Sequence, residues 1–254
     1  MRMRGKVAIV TGGSRGLGKA IAIGFSKEGA NVVVAARTEE ENRELPGTIY
    51  KTAEEVKALG QDAVPVRCDV TLEESVNQLV QVTMERFGRI DVLVNNAGVA
   101  FYRPILETPL KRWELVLRVN LIGAFLCSKA VLPQMIKQGN GSIINISSLA
   151  ADERDEGTVP TGAAYAVSKA GLDRLTWGLA AEAGQYNIAV NALKPHRVVD
   201  TEGMRLWQPH ADKSAWQSPE MMVKAAIFLA CQDSKGCTGV VGTDREICTW
   251  HGLI

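Results

Sequence analysis

The chain has 254 residues, of which 46% are hydrophobic and 22% are charged, and its formal net charge is +1. This composition is typical of a soluble protein with one large domain or two small ones, and the near-neutral charge gives no reason to expect nucleic acid or an anionic membrane surface as a partner. The apolar run after Lys6 is too short for a signal peptide, and we expect no membrane span.

Five cysteines are scattered through the chain without C-x-x-C spacing. Their odd number and wide separation argue against a disulfide framework and against a zinc site. We therefore expect no metal, a cytoplasmic location, and cysteines that serve as small core residues.

Apolar, β-rich runs alternate with segments of helical spacing along the whole chain. Such alternation predicts a parallel sheet with helices on both faces, that is, an α/β fold of the doubly wound Rossmann type. No internal repeat or linker divides the sequence, so we expect a single domain over residues 1–254. Seven strands are predicted, at residues 7–10, 31–36, 62–67, 91–95, 141–147, 187–193 and 238–243.

The first strand ends in a glycine-rich turn that opens a helix. Gly12, Gly16 and Gly18 allow backbone N–H groups to approach an anion, and the positive end of the helix dipole favours a phosphate there. A glycine turn with no ligand is the alternative, because turns collect glycine in any case.

The end of the second strand indicates which dinucleotide would bind. A fold that prefers NAD usually carries an acidic residue there for the ribose 2′-OH, but this chain has Ala36 followed by Arg37. Arg37, and Arg15 in the glycine turn, could each pair with a 2′-phosphate. We therefore expect NADP(H) rather than NAD(H), the alternative being that both arginines are solvated surface residues.

Tyr165 and Lys169 stand four residues apart in a predicted helix, after a strand that ends in Ser147 and Ser148. Residues at this spacing share one helical face, so the ammonium can lie beside the phenol. A free phenol has a pKa of about 10, and a nearby positive charge favours the phenolate. Tyr165 is therefore the candidate general acid/base.

Together these motifs resemble the classical short-chain dehydrogenase/reductase family over nearly the whole chain. The glycine pattern reads T-G-x-x-x-G-x-G, an N-N-A-G sequence follows the fourth strand, and Asn120 lies in the middle of a long helix predicted at 113–134. The resemblance implies a catalytic tetrad of Asn120, Ser148, Tyr165 and Lys169, in which Asn120 sits at a distortion of its helix and holds a water of a proton relay. Ser148 is chosen over Ser147 because the family places its serine second in such a pair.

The same resemblance implies the residues that contact the cofactor. They are Gly12, Ser14, Arg15, Gly16, Leu17, Gly18, Arg37, Asp69, Val70, Asn96, Ala97, Gly98, Tyr165, Lys169, Pro195, Val198 and Thr201.

Three features depart from the family pattern. Ser148 and Tyr165 are 17 residues apart, about four more than expected, with the excess in the charged stretch 151–157. His196 replaces the glycine that commonly follows Pro195, and it is either a substrate contact or an exposed loop residue. Thr201 is shifted by one position. Residues 196–218, which include two tryptophans, are the predicted substrate lid.

These inferences lead us to expect an NADP(H)-dependent oxidoreductase that moves a hydride between nicotinamide and a carbonyl or secondary alcohol. An NAD-linked alcohol dehydrogenase is the enzymatic alternative, and a cofactor-sensing binding protein is the non-enzymatic one. Small residues around position 163 permit close approach of that helix to a partner helix, and the family resemblance implies that it and the helix around Asn120 pair in a homotetramer, or a homodimer.

Overall fold

A parallel sheet of seven strands runs through the middle of the computed structural model, which describes residues 1–152 and 162–254. The strands are β1 Val7–Thr11, β2 Asn31–Ala36, β3 Ala63–Arg67, β4 Val92–Asn95, β5 Gly141–Ile146, β6 Ile188–Lys194 and β7 Val241–Thr243. Their order across the sheet is β3-β2-β1-β4-β5-β6-β7, and every pairing is parallel. The predicted doubly wound α/β fold is confirmed.

Helices connect the strands and cover both faces of the sheet. They are α1 Gly16–Lys27, α2 Ile49–Ala58, α3 Glu73–Phe87, α4 Leu110–Leu117, α5 Gly123–Gln138, α6 Ala163–Ala183, α7 Glu202–Trp207, α8 Glu220–Ala230 and α9 Asp244–Trp250. A single π-helical turn, Arg118–Ile122, joins α4 to α5.

Alternate residues of each strand point into two separate cores. Ala8 and Val10 pack with the helices α1, α2, α8 and α9, whereas Ile9 between them packs with α3, α5 and α6. All three side chains are fully buried, as expected for a central strand covered on both faces.

The strand order reverses direction between β1 and β4, which are neighbours in the sheet. Ala8 of β1 pairs with Val92 of β4, which lies 84 positions later in the chain. In open α/β sheets, ligands bind outside the carboxyl ends of the strands at this switch point. The glycine turn after β1 and the N-N-A-G turn after β4 meet there.

One apolar stretch differs from the sequence-based expectation. By length and composition, the continuous helical segment Leu110–Gln138 is apolar enough to cross a membrane, although we expected no such window. The buried helix of a soluble core passes the same test, and α5 packs against β4 and β5. Several apolar side chains on the outer side of this segment remain exposed, among them Leu115, Ile122 and Phe125.

Candidate active site

The glycine turn after β1 is shaped by contacts that exclude a side chain. A Cβ at Gly18 would lie 2.4 Å from the Gly12 carbonyl oxygen and 2.4 Å from Asn96 Nδ2. Gly12 and Gly16 both have positive φ, at 65° and 55°, a conformation that L-residues rarely adopt. The turn therefore requires glycine, and it leads directly into the positive end of the α1 dipole.

Hydrogen bonds hold this turn to the one that follows β4. Thr11 Oγ1 donates to the Val94 carbonyl at 3.1 Å and accepts from the backbone N–H groups of Asn96 and Ala97 at 3.0 and 3.1 Å. Asn96 Nδ2 in turn donates to the carbonyls of Thr11 and Gly12, at 2.8 and 3.2 Å. Five hydrogen bonds thus join the end of β1 and its glycine turn to the end of β4 and the turn after it.

A carboxylate lies at the start of α1. Glu202, the first residue of α7, accepts a hydrogen bond from Gly16 N at 3.1 Å through Oε2. The neighbouring Thr201 lies against the same glycine, since its Cβ would be 3.5 Å from a Cβ at Gly16.

Lys169 is the buried cation of the site. Its Nζ donates to the Ile146 carbonyl at the end of β5, at 2.7 Å, and lies 5.6 Å from the centre of the Tyr165 ring. Burial lowers the pKa of Lys169 to about 8, while Asp173, one turn further along α6, acts to raise it. The predicted pairing of ammonium and phenol on one face of α6 is present.

Asn120 lies at the centre of the π-helical turn, so the helix distortion that the family resemblance implies is present. Its Oδ1 accepts from Val99 N at 2.8 Å, and its Nδ2 donates to Val99 O and to Ser168 Oγ, both at 2.9 Å. Asn120 therefore connects the segment after the N-N-A-G turn to α6, the helix of Tyr165 and Lys169.

Ser147 and Ser148 line the same cavity but differ in their contacts. Ser147 N donates to the Leu193 carbonyl, consistent with support of the strand end, and its buried Oγ has no hydrogen-bond partner among the described residues. Ser148 is half-buried, and its Oγ accepts from Ala150 N at 3.2 Å. Residues 153–161 lie outside the described part of the chain, and they include most of the extra stretch between Ser148 and Tyr165.

A cavity of about 610 Å³ opens beside the predicted tetrad. Tyr102 and Trp207 both line it, with ring centroids 4.0 Å apart and ring planes tilted by 34°, and the ring centroid of Tyr102 lies 5.5 Å from that of Tyr165. Asn120 does not line it. The predicted residues that do are Leu17, Asn96, Gly98, Ser148, Tyr165, Lys169, Pro195, Val198 and Thr201.

A second pocket, of about 220 Å³, adjoins the first and shares Gly98 and Val99 with it. Its lining includes seven other predicted cofactor residues: Gly12, Ser14, Arg15, Arg37, Asp69, Val70 and Ala97. Of the remaining two, Gly18 is buried beneath the turn, and Gly16 faces the Glu202 carboxylate.

Both candidate arginines reach the smaller pocket. Arg37 is largely exposed, and its Nη1 lies 3.8 Å from Asp69 Oδ2. Partial burial acts to raise the pKa of Asp69, but hydrogen bonds from Thr71 and the charge of Arg37 outweigh it, so the pKa lies below its ordinary value. Arg15 Nη2 donates to the Gly47 carbonyl at 3.0 Å, and its buried Nε has no partner among the described residues.

His196 is neither an exposed loop residue nor a lining residue of the larger cavity. Its backbone N and its ring Nδ1 both lie 2.8 Å from Oδ1 of Asp244, which is fully buried, and its side chain is only 16% exposed. His196 therefore anchors the loop after β6 to the start of α9. Its neighbour Arg197 lines the cavity instead.

Three site features carried no sequence signal that we recognised. Tyr102 forms part of the cavity wall, Glu202 contacts Gly16, and Lys194 is a second buried lysine beside the site. The predicted lid contributes Met204 and Trp207 to the cavity, whereas Trp216 does not line it. No cluster of His, Cys, Asp and Glu able to hold a metal occurs within residues 1–152 and 162–254.

Residues 6–211 match the family model described as short chain dehydrogenase. The chain belongs to the short chain dehydrogenase family. It is 36% identical over 252 residues to hydroxysteroid dehydrogenase-like protein 2 of Bos taurus, a match that covers 99% of this chain and 59% of the relative. This chain thus spans about three fifths of the length of that relative.

Solved structures of short chain dehydrogenases show the same fold. One from Mycobacterium thermoresistibile superposes with a TM-score of 0.89 and 31% identity, covering 98% of this chain and 88% of that one. An NAD⁺-bound xylitol dehydrogenase superposes with a TM-score of 0.83 and 30% identity, covering 96% of this chain and 98% of that one.

The nicotinamide dinucleotide that short chain dehydrogenases use fits the residues present. The two pockets share the lining residues Gly98 and Val99, and the glycine turn excludes any side chain at Gly18. The buried, unpartnered Nε of Arg15 is a donor without an acceptor at the smaller pocket. The glycine turn would hold the pyrophosphate, and Lys169 would hold the ribose next to the nicotinamide.

Proposed function

We propose that the protein is an NADP(H)-dependent oxidoreductase that acts on a ketone or aldehyde, or on the corresponding alcohol. The observation that carries the proposal is the position of Tyr165 beside the buried Lys169, at an aromatic-walled cavity. A cofactor sensor that had lost catalysis would not need a buried ammonium beside a phenol. The bovine relative's name describes it as hydroxysteroid dehydrogenase-like, and an apolar alcohol suits the walls formed by Tyr102 and Trp207.

The tetrad residues divide the proton chemistry among them. When bound, the nicotinamide supplies or accepts the hydride. Tyr165 donates its phenolic proton to the carbonyl oxygen in the reductive direction, and Ser148 holds that oxygen by a hydrogen bond. The Lys169 ammonium favours the phenolate of Tyr165 and so makes the phenol a better proton donor at neutral pH. Asn120 holds the water that returns the proton to Tyr165.

The preference for NADP(H) follows from the charges at the smaller pocket. Ala36 offers no carboxylate to bind a ribose 2′-OH, and Arg37 and Arg15 supply two guanidinium groups. A charge-assisted contact to a 2′-phosphate contributes about 1.5–3 kcal/mol, or roughly ten- to more than a hundredfold in affinity. Two observations support the NAD-linked alternative. The ion pair between Arg37 and Asp69 partly offsets the positive charge that would attract a 2′-phosphate, and the similar xylitol dehydrogenase was solved with NAD⁺ bound.

The activity is tested by following NADPH oxidation against a panel of aldehydes, ketones, β-ketoacyl thioesters and quinones. Tyr165→Phe keeps the ring but removes the proton, so kcat should fall by ~10²–10⁴-fold with NADPH affinity nearly unchanged. Tyr186→Phe, which removes a hydroxyl on the surface, is the matched control. A Tyr165→Phe enzyme with more than about a tenth of wild-type kcat would disprove the general-acid role.

Cofactor choice is tested with kcat/KM for NADPH and NADH and one fixed substrate. Replacing Ala36 with Asp and Arg37 with Gln adds an acceptor for the 2′-OH and a repulsion against phosphate, so the preference should shift to NADH. Arg43→Gln, which removes an exposed guanidinium outside both pockets, should leave the ratio unchanged. A wild type that already prefers NADH would refute the NADP(H) proposal.

We also propose a cytoplasmic homotetramer, with a homodimer as the simpler alternative. Exposed apolar side chains lie on the two helical segments expected to pair, namely Leu115, Ile122 and Phe125 on one and Val167 and Trp177 on the other. Light scattering that showed a monomer at micromolar concentration would refute the assembly.

A further inference from the structure

The larger cavity contains two positive charges and, among the described residues, no carboxylate. The cations are Lys169 and Arg197. Lys169 is buried beside Tyr165 and donates to the Ile146 carbonyl, so the proposed function accounts for it. The proposed reaction does not use Arg197.

The backbone of Arg197 is held from both sides. His196 before it is hydrogen-bonded to the buried Asp244, and Val198 after it accepts from Gln217 N at 2.9 Å. The Arg197 carbonyl itself accepts from Gln217 Nε2 at 3.3 Å. The loop that replaces the family's Pro-Gly sequence thus fixes the starting point of this side chain.

The guanidinium of Arg197 has no hydrogen bond or ion pair with any described residue, in contrast to Arg205 nearby, which forms two hydrogen bonds to Asp200. Arg197 does not line the smaller pocket, where Arg15 and Arg37 lie, so its position is not that of the cofactor's 2′-phosphate. Arg197 is exposed and lines the larger cavity, together with the aromatic side chains Tyr102, Tyr165 and Trp207.

We propose that Arg197 binds an oxyanion of the substrate, so that the preferred substrates are carbonyl compounds or alcohols with an apolar, aromatic body and a carboxylate. The substrate class rests on the oxidoreductase function proposed above. A guanidinium forms paired hydrogen bonds with a planar carboxylate, which gives both attraction and orientation. Tyr102 and Trp207 bind the apolar body.

The test compares acids with their neutral amides of the same shape. The probes are 4-formylbenzoate, 4-acetylbenzoate and 4-oxo-4-phenylbutanoate, each paired with its carboxamide. We expect kcat/KM in wild type to favour the acid at least tenfold in one or more pairs, and this preference to fall below about threefold in Arg197→Gln. Arg197→Lys should keep part of the preference. Phenyl phosphate and phenyl sulfate as competing ligands distinguish carboxylate from other oxyanions.

Two controls separate the explanations. Arg103→Gln removes an exposed guanidinium that does not line the cavity, so it should keep the preference; equal loss in both variants would indicate long-range attraction and overturn the proposal. Equal kcat/KM for acid and amide in wild type would also overturn it.

Binding is measured in parallel by quenching of tryptophan fluorescence, since Trp207 lies in the cavity. If no probe is reduced by NADPH, the proposed reaction fails for these substrates, and the ratio of dissociation constants for acid and amide still decides the role of Arg197. A ratio near one, in that case, overturns the Arg197 proposal as well.

Discussion

Two buried lysines lie at the ends of neighbouring strands and have opposite electrostatic surroundings. Lys169 is directed at the end of β5, where its Nζ donates to the Ile146 carbonyl, a neutral acceptor. Lys194 ends β6, and its Nζ pairs with Asp152 and, at 2.8 Å, with Asp173. Both side chains are almost fully buried.

The pKa values of the two ammonium groups are shifted in opposite directions. Burial lowers the pKa of Lys169 to about 8, because the opposing charge of Asp173 compensates only in part. Burial also acts to lower the pKa of Lys194, but the two carboxylates outweigh it and the pKa is raised. The charge of Lys194 is therefore balanced by two carboxylates and contributes to the structure. The charge of Lys169 is only partly balanced, so it lowers stability, as is common for charges at functional sites.

The largest expected effect is the loss of activity in Lys169→Met. The variant removes the charge that favours the Tyr165 phenolate, so kcat should fall by ~10²–10⁴-fold, the range of a lost general acid/base. The measurement is NADPH oxidation with the best substrate of the panel, and Lys137→Met on the surface is the control. Retention of wild-type kcat would remove Lys169 from the proposed mechanism.

Lys194→Met should reduce stability rather than chemistry. Removing one partner of a buried pair leaves Asp173 unpaired, which costs about 3–5 kcal/mol of unfolding free energy. Adding Asp173→Leu to the variant should recover most of this loss, since the carboxylate left without Lys194 is removed as well. Urea titration measures the free energy of unfolding of the single and the double variant. If Lys194→Met alone were as stable as wild type, the Asp173 carboxylate would not need Lys194 as a partner.

The comparison becomes sharper when Lys169→Met is measured for stability. The pKa of Lys169 in the folded protein, about 8, lies below its unfolded value of 10.5. Between these two pH values the folded state binds fewer protons than the unfolded state, so stability rises with pH. Below pH 8 both states are protonated, and the buried charge lowers the free energy of unfolding by its full amount. The variant should therefore be more stable than wild type at pH 7, by up to roughly 3 kcal/mol. The difference should shrink as the pH rises from 8 to 10.5. A difference that is independent of pH would contradict this reasoning.

The smallest effect is expected from Asp173→Asn. Asp173 acts to raise the pKa of Lys169, so its removal should move the alkaline limb of the kcat profile to lower pH, by up to about one unit. Asp152→Asn is the matched control, because Asp152 pairs with Lys194 and is not among the groups that act on Lys169. Equal movement of the limb in both variants would assign the effect to Lys194.

The sheet could be predicted from the sequence because each strand is an apolar run between turns, a local signal. The predicted strand at 187–193 is displaced by only one residue from Ile188–Lys194. The predicted helix at 113–134 reaches further at both ends and contains a π-helical turn. That turn has no local cue in the residues 118–122, and only the family resemblance pointed to it.

The placement of Tyr165 beside Lys169 could be predicted because one helix carries both residues. The contacts of Lys194 could not, since Asp173 and Asp152 come from other elements and no spacing rule links them. His196 shows the same limit: the residue change was visible in the sequence, but its partner Asp244, 48 residues away, was not. Side chains that meet only through tertiary packing leave no periodic trace.

The hydrogen bonds between Thr11 and Asn96 have a consequence for folding. They join residues 85 positions apart, so the glycine turn cannot reach its final shape by local folding alone. Closing so long a loop costs chain entropy that only the pairing of β1 with β4 recovers. Dinucleotide binding during refolding should therefore appear together with formation of the central sheet and not before it. Binding of the dinucleotide would then report that β1 has paired with β4.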